Sequence, residues 1–186
     1  MSFVYYKYDN VLADDVVNKI LQIDDGSWQK AETDHQEKES LRKNEVIFSN
    51  NQWLYDAFWP IMEDANKKGN WNLQIDCAED FQLGKYSEGG HYEFHADGDG
   101  LTTINNPNNT VLHGKARKIS MVVWLNEDFE GGEFEFHTAH MGNDRFIKPT
   151  KGTVMFFPSW ILHKVHPVTK GTRYSLVSWF NGNPVK

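Results

Sequence analysis

The stretch Tyr86–Asp97, YSEGGHYEFHAD, decides how this chain is read. Gly89-Gly90 is a turn signal, and the aromatic-rich residues after it suit an extended strand. Successive side chains of a strand alternate faces, so His95 and Asp97 present an imidazole and a carboxylate to one spot. An H-x-D pair arises by chance in many proteins. It acquires meaning if a second histidine arrives from elsewhere, because two His and one carboxylate on one face of Fe(II) leave positions open for other ligands.

Outward from this stretch the texture is that of short strands. Trp71–Ile75, Asp80–Tyr86, His91–Asp97, Lys118–Leu125, Glu133–Thr138, Thr153–Phe157, His163–Val168 and Arg173–Trp179 are predicted strands. Gly131-Gly132, Gly142-Asn143, Lys151-Gly152 and Lys170-Gly171 are turn signals between them. Short strands with Gly-rich turns and no helix between them predict a double-stranded β-helix of the jelly-roll or cupin-like kind. Residues 98–115 form one long polar loop directly after Asp97, the position of a lid or binding loop.

Before residue 71 the pattern is helical. Val16, Val17, Ile20 and Leu21 follow helical spacing, with Asp14 and Asp15 at the start of their segment. Ser49 or Asn50 is the expected cap of a second helix carrying Trp53, Leu54, Ala57, Phe58, Ile61, Met62 and Ala65. Pro60 predicts a kink or a split there, and Lys67-Lys68-Gly69 an end. Residues 3–8 read as extended, Glu45–Phe48 as a strand and 33–44 as a loop. The expectation is one mainly β, α+β domain, with a helical support region at 1–70 and the β core at 71–186.

The 186 residues carry a formal charge of −7 and no long basic run, which disfavours nucleic acid as a partner. Twelve Phe and seven Trp favour a rigid core or a ring-lined cavity over disorder. The single cysteine, Cys77, excludes a disulfide framework and a Cys-type zinc site. The absence of a long apolar run and of a signal-peptide pattern predicts a cytoplasmic protein without a membrane partner.

The missing ligand is expected on a late strand, since such sheets fold back on themselves. His163 fits. Its rival His166 lies an odd number of residues away and so faces the other side of a regular strand. Arg173 and Ser175 share a strand face in the following segment. An inward Arg is costly unless an anion neutralises it, and a dicarboxylate suits its planar fork. His35, His91, His113, His137, His140 and His166 are expected to be packing or surface residues, although His91 shares a face with His95. Arg117, beside Lys115 and Lys118, is either substrate-binding or part of a solvated basic cluster, and Trp179 is either substrate-facing or core.

Residues 71–181 resemble the 2-oxoglutarate and Fe(II)-dependent oxygenases, specifically the prolyl 4-hydroxylase-like branch. Tyr86, Gly89, Tyr92, His95 and Asp97 stand at that branch's spacing. So do Arg117, Ser120 and Gly131-Gly132-Glu133, and then His163, Pro167-Val168, Gly171, Arg173 and Trp179. The resemblance implies that His95, Asp97 and His163 bind iron and that Arg173 pairs with the distal carboxylate of 2-oxoglutarate, assisted by the Tyr86 hydroxyl. It places Arg117 and Trp179 near a peptide substrate. It implies O2 and 2-oxoglutarate as cosubstrates, succinate and CO2 as products, and ascorbate as a reductant. Asp97 favours hydroxylation, because halogenating relatives lack this carboxylate. Two positions depart from the branch: Arg173 stands where well-studied prolyl 4-hydroxylases carry Lys, and Phe134 where some members carry a cosubstrate-binding Thr. Ser175 is the candidate substitute for that Thr. The expected substrate is a prolyl residue in a peptide. The alternatives are a free amino acid or other small molecule, and a non-catalytic cupin-like metal-binding module.

Overall fold

The computed structural model describes residues 2–31, 39–137, 146–148 and 150–185. Thr138, His35, His140 and the turn at Gly142-Asn143 lie outside them. In chain order come β1 (Tyr6–Tyr8), α1 (Asp14–Leu21), β2 (Gln29–Lys30), β3 (Arg42–Lys43), β4 (Glu45–Ser49) and α2 (Gln52–Lys68). Then follow β5 (Cys77–Ala78), β6 (Phe81–Tyr86), β7 (His91–His95), β8 (Ala116–Trp124), β9 (Glu130–Gly131), β10 (Phe134–Phe136) and β11 (Phe146–Ile147). The last are β12 (Val154–Pro158), β13 (His163–Val165), β14 (Val168–Lys170) and β15 (Arg173–Gly182).

A large sheet runs in the order β1-β12-β8-β15-β6-β4-β2, with β5 also paired to β15. A second sheet runs β11-β10-β13-β7-β3, and β9 pairs with β14 in a small ribbon. The strand pairings among the described residues are antiparallel throughout, as hairpin and Greek-key connections require. Mainly β, with two helices at the start, the fold is the expected jelly-roll.

Period-2 alternation divides the large sheet into two jobs. Ile119, Met121 and Val123 of β8, Val154 and Phe156 of β12, and Leu176 and Phe180 of β15 face outward onto the helices. There they meet Val17 and Ile20 of α1 and Leu54, Phe58, Met62 and Ala65 of α2, the apolar stripes of two amphipathic helices. The intervening residues Val122, Trp124, Met155 and Phe157 face inward and meet Phe134, Phe136 and Val165 of the second sheet. Both faces of the large sheet are therefore buried, which is why its central strands read as near-continuous apolar runs. The same alternation turns Arg173, Ser175, Val177 and Trp179 of β15 into the space between the sheets.

Several local expectations change in the fold. Residues before 70 are not only helical support: β1, β2 and β4 extend the large sheet, and β3 ends the second one. Trp71–Ile75 is not a strand. Its backbone is tied to the helix it follows, with Leu73 N donating to Asn66 Oδ1 at 3.0 Å and Asn66 Nδ2 donating to Leu73 O at 2.8 Å. The predicted strand His163–Val168 splits at Pro167, which has no N–H to give a ladder; β14 beyond it pairs with β9 instead. Helix α2 passes through Pro60 as one element and starts after Asn51, whose Nδ2 donates to Ser49 Oγ at 2.9 Å. It ends on Gly69 as expected, but the left-handed turn falls on Asn70, at φ 56°. A Cβ at Gly69 would lie 2.6 Å from the Trp71 ring, so close packing rather than a positive φ requires glycine there. No helix of the described residues is long and apolar enough to cross a membrane.

Candidate active site

Strands β7 and β13 pair antiparallel, with His95 directly opposite His163. This register, which no local pattern encodes, brings the two imidazoles together with ring centroids 4.2 Å apart. Strand β7 ends at His95, so Asp97 lies just beyond it rather than on it. Its position is fixed by tertiary contacts instead. Asp97 N donates to Ser159 O at 2.9 Å, and Ser120 Oγ donates to Asp97 Oδ2 at 2.6 Å. His95 Nε2 lies 3.6 Å from Asp97 Oδ1, and His163 Nε2 lies 3.6 Å from Asp97 Oδ2. One donor atom from each of the three residues falls within 4.8 Å of the others, an arrangement able to hold a metal ion.

Protonation suits the same use. His95 Nδ1 lies 2.7 Å from Glu93 O and His163 Nδ1 lies 2.9 Å from Ile161 O. A carbonyl only accepts, so each Nδ1 carries the proton and each Nε2 offers a lone pair toward Asp97. Burial lowers the His163 pKa to about 4, keeping the ring neutral at physiological pH. Burial alone would raise the Asp97 pKa, but the two imidazoles and the Ser120 hydroxyl outweigh it and hold the carboxyl well below the usual range. Two imidazoles with their Nε2 atoms turned inward and one ionised carboxylate form a donor set suited to Fe(II) with open positions. The rings are also held sterically: Phe134 stacks on His163 at 5.2 Å, and Tyr92 stacks on His95 at 3.4 Å with Arg42 over its other side at 4.6 Å.

These ligands share a cavity of about 680 Å³ with Tyr86, Val122, Arg173, Ser175 and Trp179. Arg173 is 1% exposed, and burial pushes its pKa down. Its NH1 donates to Ser175 Oγ at 3.1 Å, its guanidinium carbon lies 5.1 Å from the Tyr86 ring centre, and Nε has no partner. It forms no ion pair with any described residue. A buried cation left with unused donors is expensive unless an anion pairs with it.

Other expected residues are placed as follows. Arg117 is partly exposed but paired: Nε and NH2 each donate to the Glu79 carboxylate at 2.6 Å, and the guanidinium stacks on Trp179 at 4.0 Å. Arg117 NH1 also donates to Asp97 O at 3.3 Å. Its neighbours are engaged as well, Lys115 with Asp76 and Lys118 with Gln74 O, so the basic cluster is an assembly of separate pairings. Trp179 lines the cavity, with its buried Nε1 unpartnered. His91 is engaged by Gly89 O and Ser40 O, and His166 pairs with Glu135, so neither joins the cluster. His137 is exposed beside Phe94, and His113 is exposed. Sequence reading assigned no role to Ser159 or Glu79. No local signal marks either, because each acts across distant strands. Ser120 was visible only as part of a spacing. Asn109 and Leu112 bring loop 98–115 to the cavity wall.

The model of the 2OG-Fe(II) oxygenase superfamily matches residues 81–181. The chain belongs to this superfamily. A PKHD-type hydroxylase of Alteromonas mediterranea is 37% identical over 97 residues, 51% of this chain and 40% of that one. The chain thus spans well under half the length of this curated relative. A prolyl-4-hydroxylase structure from Pseudomonas putida superposes with a TM-score of 0.72 at 20% identity, covering 97% of this chain and 94% of that one. A prolyl hydroxylase from Trichoplax adhaerens, in complex with a hypoxia inducible factor oxygen degradation domain peptide, gives 0.74 at 16% identity, covering 95% and 83%. At these identities the two structures bear on the fold.

Proposed function

We propose that the protein is an Fe(II)- and 2-oxoglutarate-dependent dioxygenase that hydroxylates a prolyl residue in a peptide or protein, releasing succinate and CO2. The observation that carries this reading is the buried Arg173, without an anionic partner among the described residues, in the cavity that holds His95, Asp97 and His163. Iron, when bound, supplies the activation of O2 and the oxidative decarboxylation of 2-oxoglutarate. The chain's own residues do the rest. His95 and His163 present their Nε2 atoms, and Ser120 keeps Asp97 oriented and ionised. Arg173 takes the distal carboxylate, with Ser175 Oγ beside it and the Tyr86 hydroxyl assisting. Ser175 then serves in place of the Thr that Phe134 displaces, while Phe134 instead braces His163. Apolar walls at Val122 and Phe134 exclude water, which strengthens the Arg173 pair. Arg117 and Trp179 stand at the substrate side, with Arg117 held in place by Glu79. A peptide substrate is supported by the hydroxylase names of the relatives and by the peptide held in the T. adhaerens neighbour.

The test is anaerobic addition of Fe(II) and 2-oxoglutarate, which should produce a weak visible charge-transfer band, followed by oxygen and a set of proline peptides assayed by mass. Gain of one oxygen atom on proline with matching succinate supports the reading. Gain on free amino acids alone transfers the chemistry to a small molecule. Neither band nor succinate ends it.

A further inference from the structure

Asp80, Asn109 and Leu112 line the catalytic cavity and also a second groove of about 770 Å³. One wall is the face of α2 that carries Tyr55, Trp59 and Pro60; the other is loop 98–115, at Val111 and Leu112. The aromatic wall is rigid. Tyr55 packs edge-on against Phe81 at 5.0 Å, and Trp59 packs edge-on against Phe180 at 5.9 Å, both anchored on the large sheet. Only two charged residues line the groove, Asp56 and Asp80, and neither makes an ion pair among the described residues. Tyr55 Oη donates to Asp80 Oδ1 at 3.3 Å, which holds one carboxylate in place. Val111 is 59% exposed on the opposite wall, an apolar residue facing solvent where the groove lies.

We propose that this groove holds the segment of the substrate peptide flanking the reactive residue, and that this segment carries a lysine or arginine. The inference rests on the peptide-hydroxylase reading and adds the substrate class to it. Because the cavity and the groove share Asp80, Asn109 and Leu112, a chain with one residue at the metal can run its flanking residues over these three. Ring-lined walls suit an extended, proline-containing segment, which lacks internal hydrogen bonds and loses little freedom on docking. Asp56, which accepts from Gln52 Nε2 at 3.0 Å, and Asp80 have no cationic partner among the described residues, and they select a basic side chain, whose aliphatic stem packs along Trp59 while its charge stays near Asp56.

The test uses three fluorescein-labelled alanine-proline peptides with a central proline, flanked on both sides by lysine, glutamine or glutamate. Binding is read by anisotropy with manganese(II) and 2-oxoglutarate, so no turnover is needed. The lysine peptide should bind about tenfold more tightly than the glutamate peptide, with glutamine between them. The difference should shrink as salt rises. Asp56→Lys, at an exposed helix position, should narrow or reverse the order. Equal binding of the three peptides, an order untouched by Asp56→Lys, or no binding of the lysine peptide overturns the proposal. Hydroxylation is then measured separately with iron and oxygen. Equal binding with oxygen added to all three peptides sinks the groove and leaves the hydroxylase. Charge-selective binding without oxygen incorporation does the reverse.

Discussion

Replacing Arg173 by Met should have opposite effects on the free and the ligand-bound protein. Holding a guanidinium-sized ion away from water costs several kcal/mol even after relaxation. Against this stand one charged hydrogen bond to Ser175 at 3.1 Å, about 1.5–3 kcal/mol, and the Tyr86 ring at 5.1 Å, up to about 2 kcal/mol. The terms nearly cancel. Met has similar length and no charge, so the ligand-free variant should be as stable as the parent or more stable by about 1–2 kcal/mol. That corresponds to a rise in Tm of about 2–4 °C per kcal/mol. With 2-oxoglutarate the sign reverses. Truncating one partner of a buried charge pair costs about 2–5 kcal/mol, or about 30- to 5,000-fold in affinity. Thermal unfolding with manganese(II), with and without 2-oxoglutarate, reads both effects. Ligand at a hundred times its Kd stabilises the parent by about 2.7 kcal/mol, and the variant should gain no more than about 0.9 kcal/mol at the same concentration. An unchanged ligand-induced shift in the variant would refute the anion-clamp role of Arg173. A loss of several kcal/mol without ligand would refute the claim that the empty cavity holds its cation at a cost.

Ser120→Ala removes the hydroxyl that donates to Asp97 Oδ2 and should weaken metal binding by about 10- to 100-fold, measured by cobalt(II) titration, with little change in Tm. Gly132 has φ +66°, and a Cβ there would lie 3.1 Å from Arg173 Cδ; Gly132→Ala should cost about 1–2 kcal/mol of backbone strain and lower 2-oxoglutarate affinity by displacing Arg173, seen by isothermal titration. Glu79→Gln breaks the bidentate clamp on Arg117 and should cost about 2 kcal/mol in urea unfolding. Burial lowers the folded-state pKa of His163 to about 4, so the unfolded chain takes up its proton first as pH falls. The stability this site contributes should be complete above the ordinary histidine pKa and disappear as pH drops through about 4 in the metal-free protein; His163→Asn should flatten that part of the stability–pH curve.

Local pattern determined much of this protein. The apolar runs in β6, β8, β12 and β15 and the turns between them mark sheet-forming segments without reference to the rest of the chain. The H-x-D spacing and the odd offset between His163 and His166 are legible as a two-residue strand period, although Asp97 and His166 both fall just outside β7 and β13. The position of Arg173 and Ser175 on one face follows likewise. What the tertiary structure decided is everything that depends on which strand meets which. The pairing of β7 with β13 sets His95 against His163. Asp97 leaves its strand and is held by Ser120 and Ser159, which arrive from other strands. Arg117 reads either as a substrate contact or as a solvated cation beside two lysines, and its pairing with Glu79 appears only in the fold. Short segments before residue 70 become sheet edges, and Trp71–Ile75, strand-like by composition, is claimed by Asn66. The physical reason is common to all of these. Periodicity and propensity act over a few neighbouring residues, whereas register, ion pairing and the burial of a lone cation depend on contacts between segments far apart in the chain.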